Sequence, residues 1–329
     1  MKPIRIGVIG VGNMGRNHVR ILANEKSLFE LISIYDNSTH QTEKLSELYG
    51  IKAATDVLSL FDEVEAVIIA VPTSLHLDYG LLAAKNGVHA LIEKPLALNS
   101  EDAAVLISAF EEADKTLMVG HVERFNPVVV ELEKLLTAER LTAIEARRYS
   151  SFDGRITDAS VVSDLMIHDI DIVCNLLCKE EIINLQSVGS SVRSDMIDFA
   201  HCIIKFGNNA IASIAASRVS SDKVREIFVH TSKSYIKADL LSKTLNVTKN
   251  ANMTIDIQTD DRGSMSYRQE SISQRIFVPQ IEPLVAELIH FGNCINNNLA
   301  PITDGYTALR AIKISEEVAV GAIASTEVV

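Results

Sequence analysis

Asp164, His168 and Asp171 stand in the apolar stretch VVSDLMIHDIDIV, spaced four and then three. On a helix those spacings put all three on one face, a turn apart. A further candidate is Lys94 in EKP, at the end of an apolar run. An alcohol that gives up a hydride must also lose a proton. His168 has the intrinsic pKa to take it near neutral pH. The ammonium of Lys94 can stabilise charge growing on the oxygen, and desolvation can lower its pKa enough to share the transfer. Asp164 can bind a neighbouring hydroxyl or orient the ring. The residues leave open whether His168 or Lys94 is the base. Asp171 is expected to support the helix, paired with a backbone group or an arginine. The competing reading is a satisfied core histidine among capping and surface carboxylates, and the upstream sequence weighs against it.

Upstream, GVIGVGNMGRNH carries Gly10, Gly12 and Gly15 as G-x-G-x-x-G, after a strand-like run and at the start of a helix-like one. Gly10 permits a tight turn, Gly12 lets a pyrophosphate approach the backbone, and Gly15 lets helix pack on strand. The phosphates then meet the N–H groups of the helix start. Asp36 ends the next strand, 21 positions after Gly15. A carboxylate there binds both ribose hydroxyls and repels a 2′-phosphate, so NAD is expected over NADP. Thr73 and His76 follow a third apolar run in AVPTSLH, at the strand end where ligands of open α/β sheets bind. The expected dinucleotide contacts are Gly10, Gly12, Asn13, Met14, Gly15, Asp36, Thr73, His76 and Glu93.

Strand-like and helix-like patterns must alternate to hold these residues. Strands are expected at IRIGVIG, LISIYD, AVIIAVP, HALIEKP and TLMVGH, with helices at 13–23, 41–49 and 77–86 and one capped by Ser100. After His121 the rhythm changes. Asn126 and Pro127 open a helix, LTAIEARRYS reads as a strand, and the Asp164–His168 helix follows. From about residue 183 strands dominate: DFAHCIIKF and AIASIAASR across GNN, EIFVHT and SYIKADL across SK, then KTLNVTK and SISQRIF. Residues 250–270 are polar and unpatterned, and 279–293 and 307–325 read as closing helices. The fold class is α/β: an N-terminal Rossmann doubly wound parallel sheet, then an α+β domain with an open, largely antiparallel sheet. The domains are expected at 1–121 and 122–329, with the C-terminal helices free to pack back on the first.

The bulk properties narrow the partners. Of 329 residues 47% are hydrophobic and 22% charged, as in a soluble globular chain, and no apolar run reaches the length of a bilayer span. No signal peptide is read at the N-terminus, so a cytoplasmic location is expected. The net charge of −12 argues against a nucleic-acid partner. Cys174 and Cys178 are read as buried structural thiols, with no disulfide and no metal expected.

The ordered set GVIGVGNMGRNH, AVPTSLH, EKPLA, GHVERFNP and SDLMIHDIDIV resembles the Gfo/Idh/MocA family of sugar and cyclitol oxidoreductases over nearly the whole chain, including the late EPLVAELIHF and 301–305. The resemblance implies an active site between the two domains and an open sheet used for homodimer or homotetramer assembly. It assigns Lys94 as the family's EKP lysine and Asp164 and His168 as its D-x-x-x-H pair. Arg124, Asn126 and Arg148 become candidate substrate residues, and Arg147, Arg155, Arg218 and Arg225 further candidates for a diphosphate. VGHVERFNP and KVREIFVHTSKSYIKADL are similar to the branch that oxidises the C3 hydroxyl of UDP-N-acetylglucosamine. The helix departs from the family's usual pattern at Ser163 and Met166. The alternatives are a dehydrogenase of a free cyclitol or sugar, inositol-type, and a non-catalytic NAD-binding regulator on the same fold.

Overall fold

In the computed structural model, residues 2–137, 139–152, 159–250, 258–259, 265–266 and 271–326 are described. The first unit begins with β1 (Ile4–Ile9), a buried apolar strand that runs through Gly10 into α1 (Asn13–Asn24). The alternation continues with β2 (Phe29–Tyr35), α2 (Thr39–Tyr49), β3 (Lys52–Ala53), α3 (Val57–Phe61), β4 (Ala66–Ile69), α4 (His76–Lys85), β5 (His89–Glu93), α5 (Ser100–Glu112) and β6 (Leu117–Gly120). The six strands pair in parallel in the order β3-β2-β1-β4-β5-β6. The central strands are covered on both faces, which is why β4 is buried at all four positions. Parallel pairing also gathers every strand's carboxyl end on one edge of the sheet. The short β3 and α3 were not visible in the hydropathy pattern. The cap of α5 is Asn99, whose side chain accepts from the Asp102 N–H, and Ser100 is already the first helical residue.

The second unit holds α6 (Pro127–Leu136), β7 (Leu141–Tyr149), α7 (Ile167–Leu176) and β8 (Ile182–Ser190). Strands β9 (Phe199–Phe206), β10 (Ile211–Ser217), β11 (Val224–Thr231), β12 (Ser234–Asp239) and β13 (Thr244–Asn250) follow, then the two-residue β14 (Gln258–Thr259) and β15 (Met265–Ser266), and β16 (Ser271–Ile276). Eight of them form one sheet, β16-β13-β12-β11-β7-β10-β9-β8. All its pairings are antiparallel except β7 with β10. A parallel pair cannot be closed by a tight turn, so the chain between them makes a long crossover that contains α7. Most of 250–270 lies outside the described residues, as does Arg155.

The last helices are α8 (Pro283–Asn297) and α9 (Gly305–Thr326). Residues Ile281–Glu316 belong with Met1–Phe125, and Asn126–Gln280 with the chain from Glu317 onward. The first unit therefore runs to Phe125, past the expected boundary at 121, and takes in α8. Leu284, Leu288 and Phe291 of α8 share one buried cluster with Val19 and Leu22 of α1 and with Ile6 and Val8 of β1. Cys174 is buried, but Cys178, read from sequence as buried, is exposed one turn further on. No described helix is long and apolar enough to cross a membrane.

Candidate active site

The carboxyl edge of the parallel sheet collects Gly10, Asp36, Val71 to Thr73 and Lys94, as the strand order requires. Gly10 has φ +86°, and a Cβ there would lie 2.6 Å from the Ala70 carbonyl oxygen. A Cβ on Gly15 would lie 1.8 Å from the Gly10 oxygen, so helix and loop touch backbone to backbone. Gly12 differs, since a Cβ there meets nothing within 4 Å. It caps α1, beside exposed Asn13 and half-buried Met14, and leaves a cradle open above the helix start. Asp36 accepts the Val11 N–H at 2.7 Å and the Ser38 N–H at 2.8 Å, which fixes its carboxylate between the first two strand ends. A glycine cradle, a helix N-terminus and a carboxylate at the second strand end suit a dinucleotide with an unphosphorylated ribose.

Two residues expected to meet the dinucleotide turn inward. His76 is 1% exposed, with its ring nitrogens 2.9 Å from the Pro95 oxygen and 3.0 Å from the Val71 oxygen. It clasps the loop after β4 to the EKP turn, and burial pulls its pKa down. Glu93 is buried and its Oε1 lies 2.7 Å from His18 Nε2. Thr73 and Lys94 are half-exposed at the edge, and the Lys94–Pro95 bond is cis. Arg124 is 5% exposed in the turn Val122–Phe125.

In the second unit Asp164 falls in a π turn, Val162–Met166, that runs directly into α7. Single π turns widen a helix and recur at functional sites. The D-x-x-x-H pair therefore straddles a π-to-α junction, not a uniform α-helix. Asp164 and His168 are both half-buried, whereas Asp169 and Asp171 are buried. Arg148 pairs with Asp169 bidentately, Nε to Oδ2 at 2.9 Å and Nη2 to Oδ1 at 2.8 Å. A guanidinium 1% exposed and bound this way is anchoring α7 to β7, not presented to a ligand as the sequence suggested. Asn126 likewise acts as a cap: Oδ1 accepts the Val128 N–H at 3.1 Å, and Nδ2 donates to Leu240 O at 3.4 Å. Arg218 is enclosed by Asp198 at 2.7 Å and Ser194 at 2.8 Å. Arg147 lies on the opposite face of β7, over the Phe228 ring at 5.3 Å. Arg225 stands opposite Arg148 in the β11–β7 register and so shares its face.

The profile of an oxidoreductase family with an NAD-binding Rossmann fold matches residues 4–121, and that of the GFO/IDH/MocA C-terminal domain matches 140–237. The chain belongs to the Gfo/Idh/MocA oxidoreductase family. Its cofactor is NAD. Among this family, UDP-N-acetylglucosamine 3-dehydrogenase of Acidithiobacillus ferrooxidans is 31% identical over 97% of both chains. The solved structure of that enzyme superposes with a TM-score of 0.89 over 99% of both chains, at 29% identity. The scyllo-inositol 2-dehydrogenase (NAD(+)) of Bacillus subtilis is 25% identical over 91% of this chain and 88% of its own. Levoglucosan dehydrogenase with NADH and L-sorbose shares the fold, with a TM-score of 0.83 at 18% identity over 99% of this chain and 98% of its own.

Beyond the motif residues of this Gfo/Idh/MocA chain, the structure brings forward His18 and Glu287, both fully buried in the first unit. The available signal was a polar residue at an inward helical position, in GRNH and in VAELIH.

Proposed function

We propose that this protein oxidises the C3 hydroxyl of UDP-N-acetylglucosamine to a ketone with NAD. The observation that carries the reading is likeness to a dehydrogenase of that sugar nucleotide over 97% of both chains. NAD, when bound, takes up the hydride. His168 takes the hydroxyl proton, and the half-buried Lys94 ammonium stabilises the negative charge growing on the same oxygen. Asp164, on the wider turn before His168, binds a neighbouring hydroxyl or orients the imidazole. Asp36 sets the preference for NAD by disfavouring a 2′-phosphate. Arg148 and Arg218 are engaged by carboxylates; Arg124 is assigned to the substrate by the family resemblance, and Arg225, on the same sheet face as Arg148, to its diphosphate. A cytoplasmic location and homodimeric or homotetrameric assembly through the outer face of the eight-stranded sheet complete the proposal. That face carries Phe228 stacked on Tyr235 at 6.2 Å, with Arg147 and Lys237 over the Phe228 ring.

The second reading is a cyclitol dehydrogenase, favoured by the likeness to the scyllo-inositol enzyme. A panel of UDP-sugars, free sugars and inositols, each with NAD and NADP and followed at the nicotinamide absorbance, separates the two. Turnover of UDP-N-acetylglucosamine and thermal stabilisation by UDP alone are expected. Turnover of an inositol with no response to UDP would replace the first reading with the second.

A further inference from the structure

Glu287 of α8 is 0% exposed, and neither of its carboxyl oxygens has a hydrogen-bond partner. Its neighbours Leu284, Leu288 and Phe291 belong to the apolar cluster that includes Val19 and Leu22. An unpaired carboxylate in such surroundings is too costly to keep, so the group holds its proton. Burial raises its pKa well above 4.5, and the charge of Glu93 adds to the rise. Glu93 closes β5, binds His18 Nε2, and sets its other oxygen 3.0 Å from where a Cβ on Gly120 of β6 would stand. His18 is also 0% exposed, and its Nδ1 has no partner. Three titratable groups from α1, β5 and α8 thus share one apolar interior, and the residue after Glu93 is Lys94.

Other charged or titratable groups stand on the elements packed around Glu287. Arg20 of α1 pairs with Glu282 at the surface. His121, Glu123 and Arg124 lie at the turn before Phe125, and His290 packs on the Phe125 ring at 5.4 Å. The charge of Glu93 bears on Glu287. A metal centre does not account for the cluster, because no three His, Cys, Asp or Glu among the described residues are placed to hold an ion.

We propose that Glu287 is a positioning residue for Lys94: a carboxylic acid buried in the same unit as the Glu93–His18 pair that keeps the end of β5 in place for as long as it holds its proton. The proposal rests on the reading of Lys94 as a catalytic group. While Glu287 is neutral, it adds no charge to oppose the Glu93–His18 pair. Once Glu287 ionises, two carboxylates repel inside an apolar interior. The packed helices hold, and the strand end that carries Lys94 gives way.

The test compares the whole protein with Glu287→Gln, which is neutral at every pH, and with Glu287→Met as a second non-titrating variant should the first not fold. A carboxyl with a raised folded-state pKa stabilises fully below about pH 4.5 and loses that stability as pH rises through the folded value. Melting temperatures between ~pH 5 and ~pH 9 should therefore show the variant gaining on wild type as the pH rises, until Glu287 ionises in the folded protein and the gap levels off. Lys94 is followed in the same samples by acetic anhydride labelling and mass spectrometry, with Lys134, 66% exposed at its side chain, as internal reference. In wild type, labelling of Lys94 relative to Lys134 should jump at the pH where the melting gap stops widening, because that is where Glu287 ionises in the folded protein, and in the variant the jump should be absent. A melting gap that stays constant with pH overturns the buried acid. An identical labelling profile in both proteins overturns the link to Lys94. Neither readout needs a substrate, so failure of the sugar panel leaves this test standing.

Discussion

Replacing Arg148 with methionine removes one side of a buried ion pair and separates two roles for that arginine. Its side chain is 1% exposed and that of Asp169 3%. The two contacts of 2.9 and 2.8 Å form a bidentate pair. Methionine fills much of the same volume but leaves the Asp169 carboxylate in a dry interior. Breaking such a pair costs ~3–5 kcal/mol. For a unit of this size each kcal/mol moves the midpoint by ~2–4 °C, so the drop should be ~6–20 °C. Calorimetry should place it in the transition of the second unit. Arg148→Met with Asp169→Leu removes both charges and should recover all but ~1–2 kcal/mol of the loss. A diphosphate ligand behaves otherwise: its removal raises KM and leaves the melting curve in place. A loss below ~1 kcal/mol, or a double variant no better than the single, would refute the anchoring role.

Gly15→Ala should abolish NADH binding in a fluorescence titration and lower the melting point, because its Cβ would meet the Gly10 oxygen at 1.8 Å. Gly12→Ala should melt like wild type and still lose NADH affinity, since its Cβ enters only the open cradle. His168→Ala should lower kcat by ~10²–10⁴ with NADH affinity unchanged, and unchanged turnover would remove His168 from the chemistry. Asp198 pays for burial, which raises its pKa, yet N–H groups of Arg193 and Val192 and the Arg218 guanidinium outweigh this and hold it well below 3.8. Its contribution to stability is therefore full above about pH 3.8 and lost as the pH falls through the lower folded value. Asp198→Asn should destabilise at neutral pH, with the deficit closing in strong acid when urea melts are run across the range.

Much of this architecture could be read from the chain because the signals were local. AVII is a buried strand in any parallel sheet, and Gly10, Gly12 and Gly15 have spacing that suits little else. Misses came where long-range packing decided the outcome. Nothing in SDLMIH announces a π turn, since the extra residue is absorbed by packing on β10 and β7. The Arg148 partner is Asp169, one step off the face assumed for Asp164, His168 and Asp171, because that side of the helix packs on β7. Asn99 and Ser100 are both good caps, and the backbone geometry alone chose between them. Glu287 carries no local mark of burial in VAELIH, because its burial depends on long-range packing of the first unit.

The way the chain divides also bears on modularity. A nucleotide-binding segment cut after its last parallel strand would lose Leu284, Leu288 and Phe291 from its own interior and leave Val19 and Leu22 uncovered. Such a fragment should aggregate, and adding the α8 peptide in trans should rescue it better than any change of solvent. A unit whose interior is finished by residues some 160 positions further along cannot be shuffled as a contiguous cassette. Inheritance of the cofactor site is thereby tied to inheritance of the entire chain, and insertions that lengthen the intervening strands are tolerated only while the returning helix still reaches home.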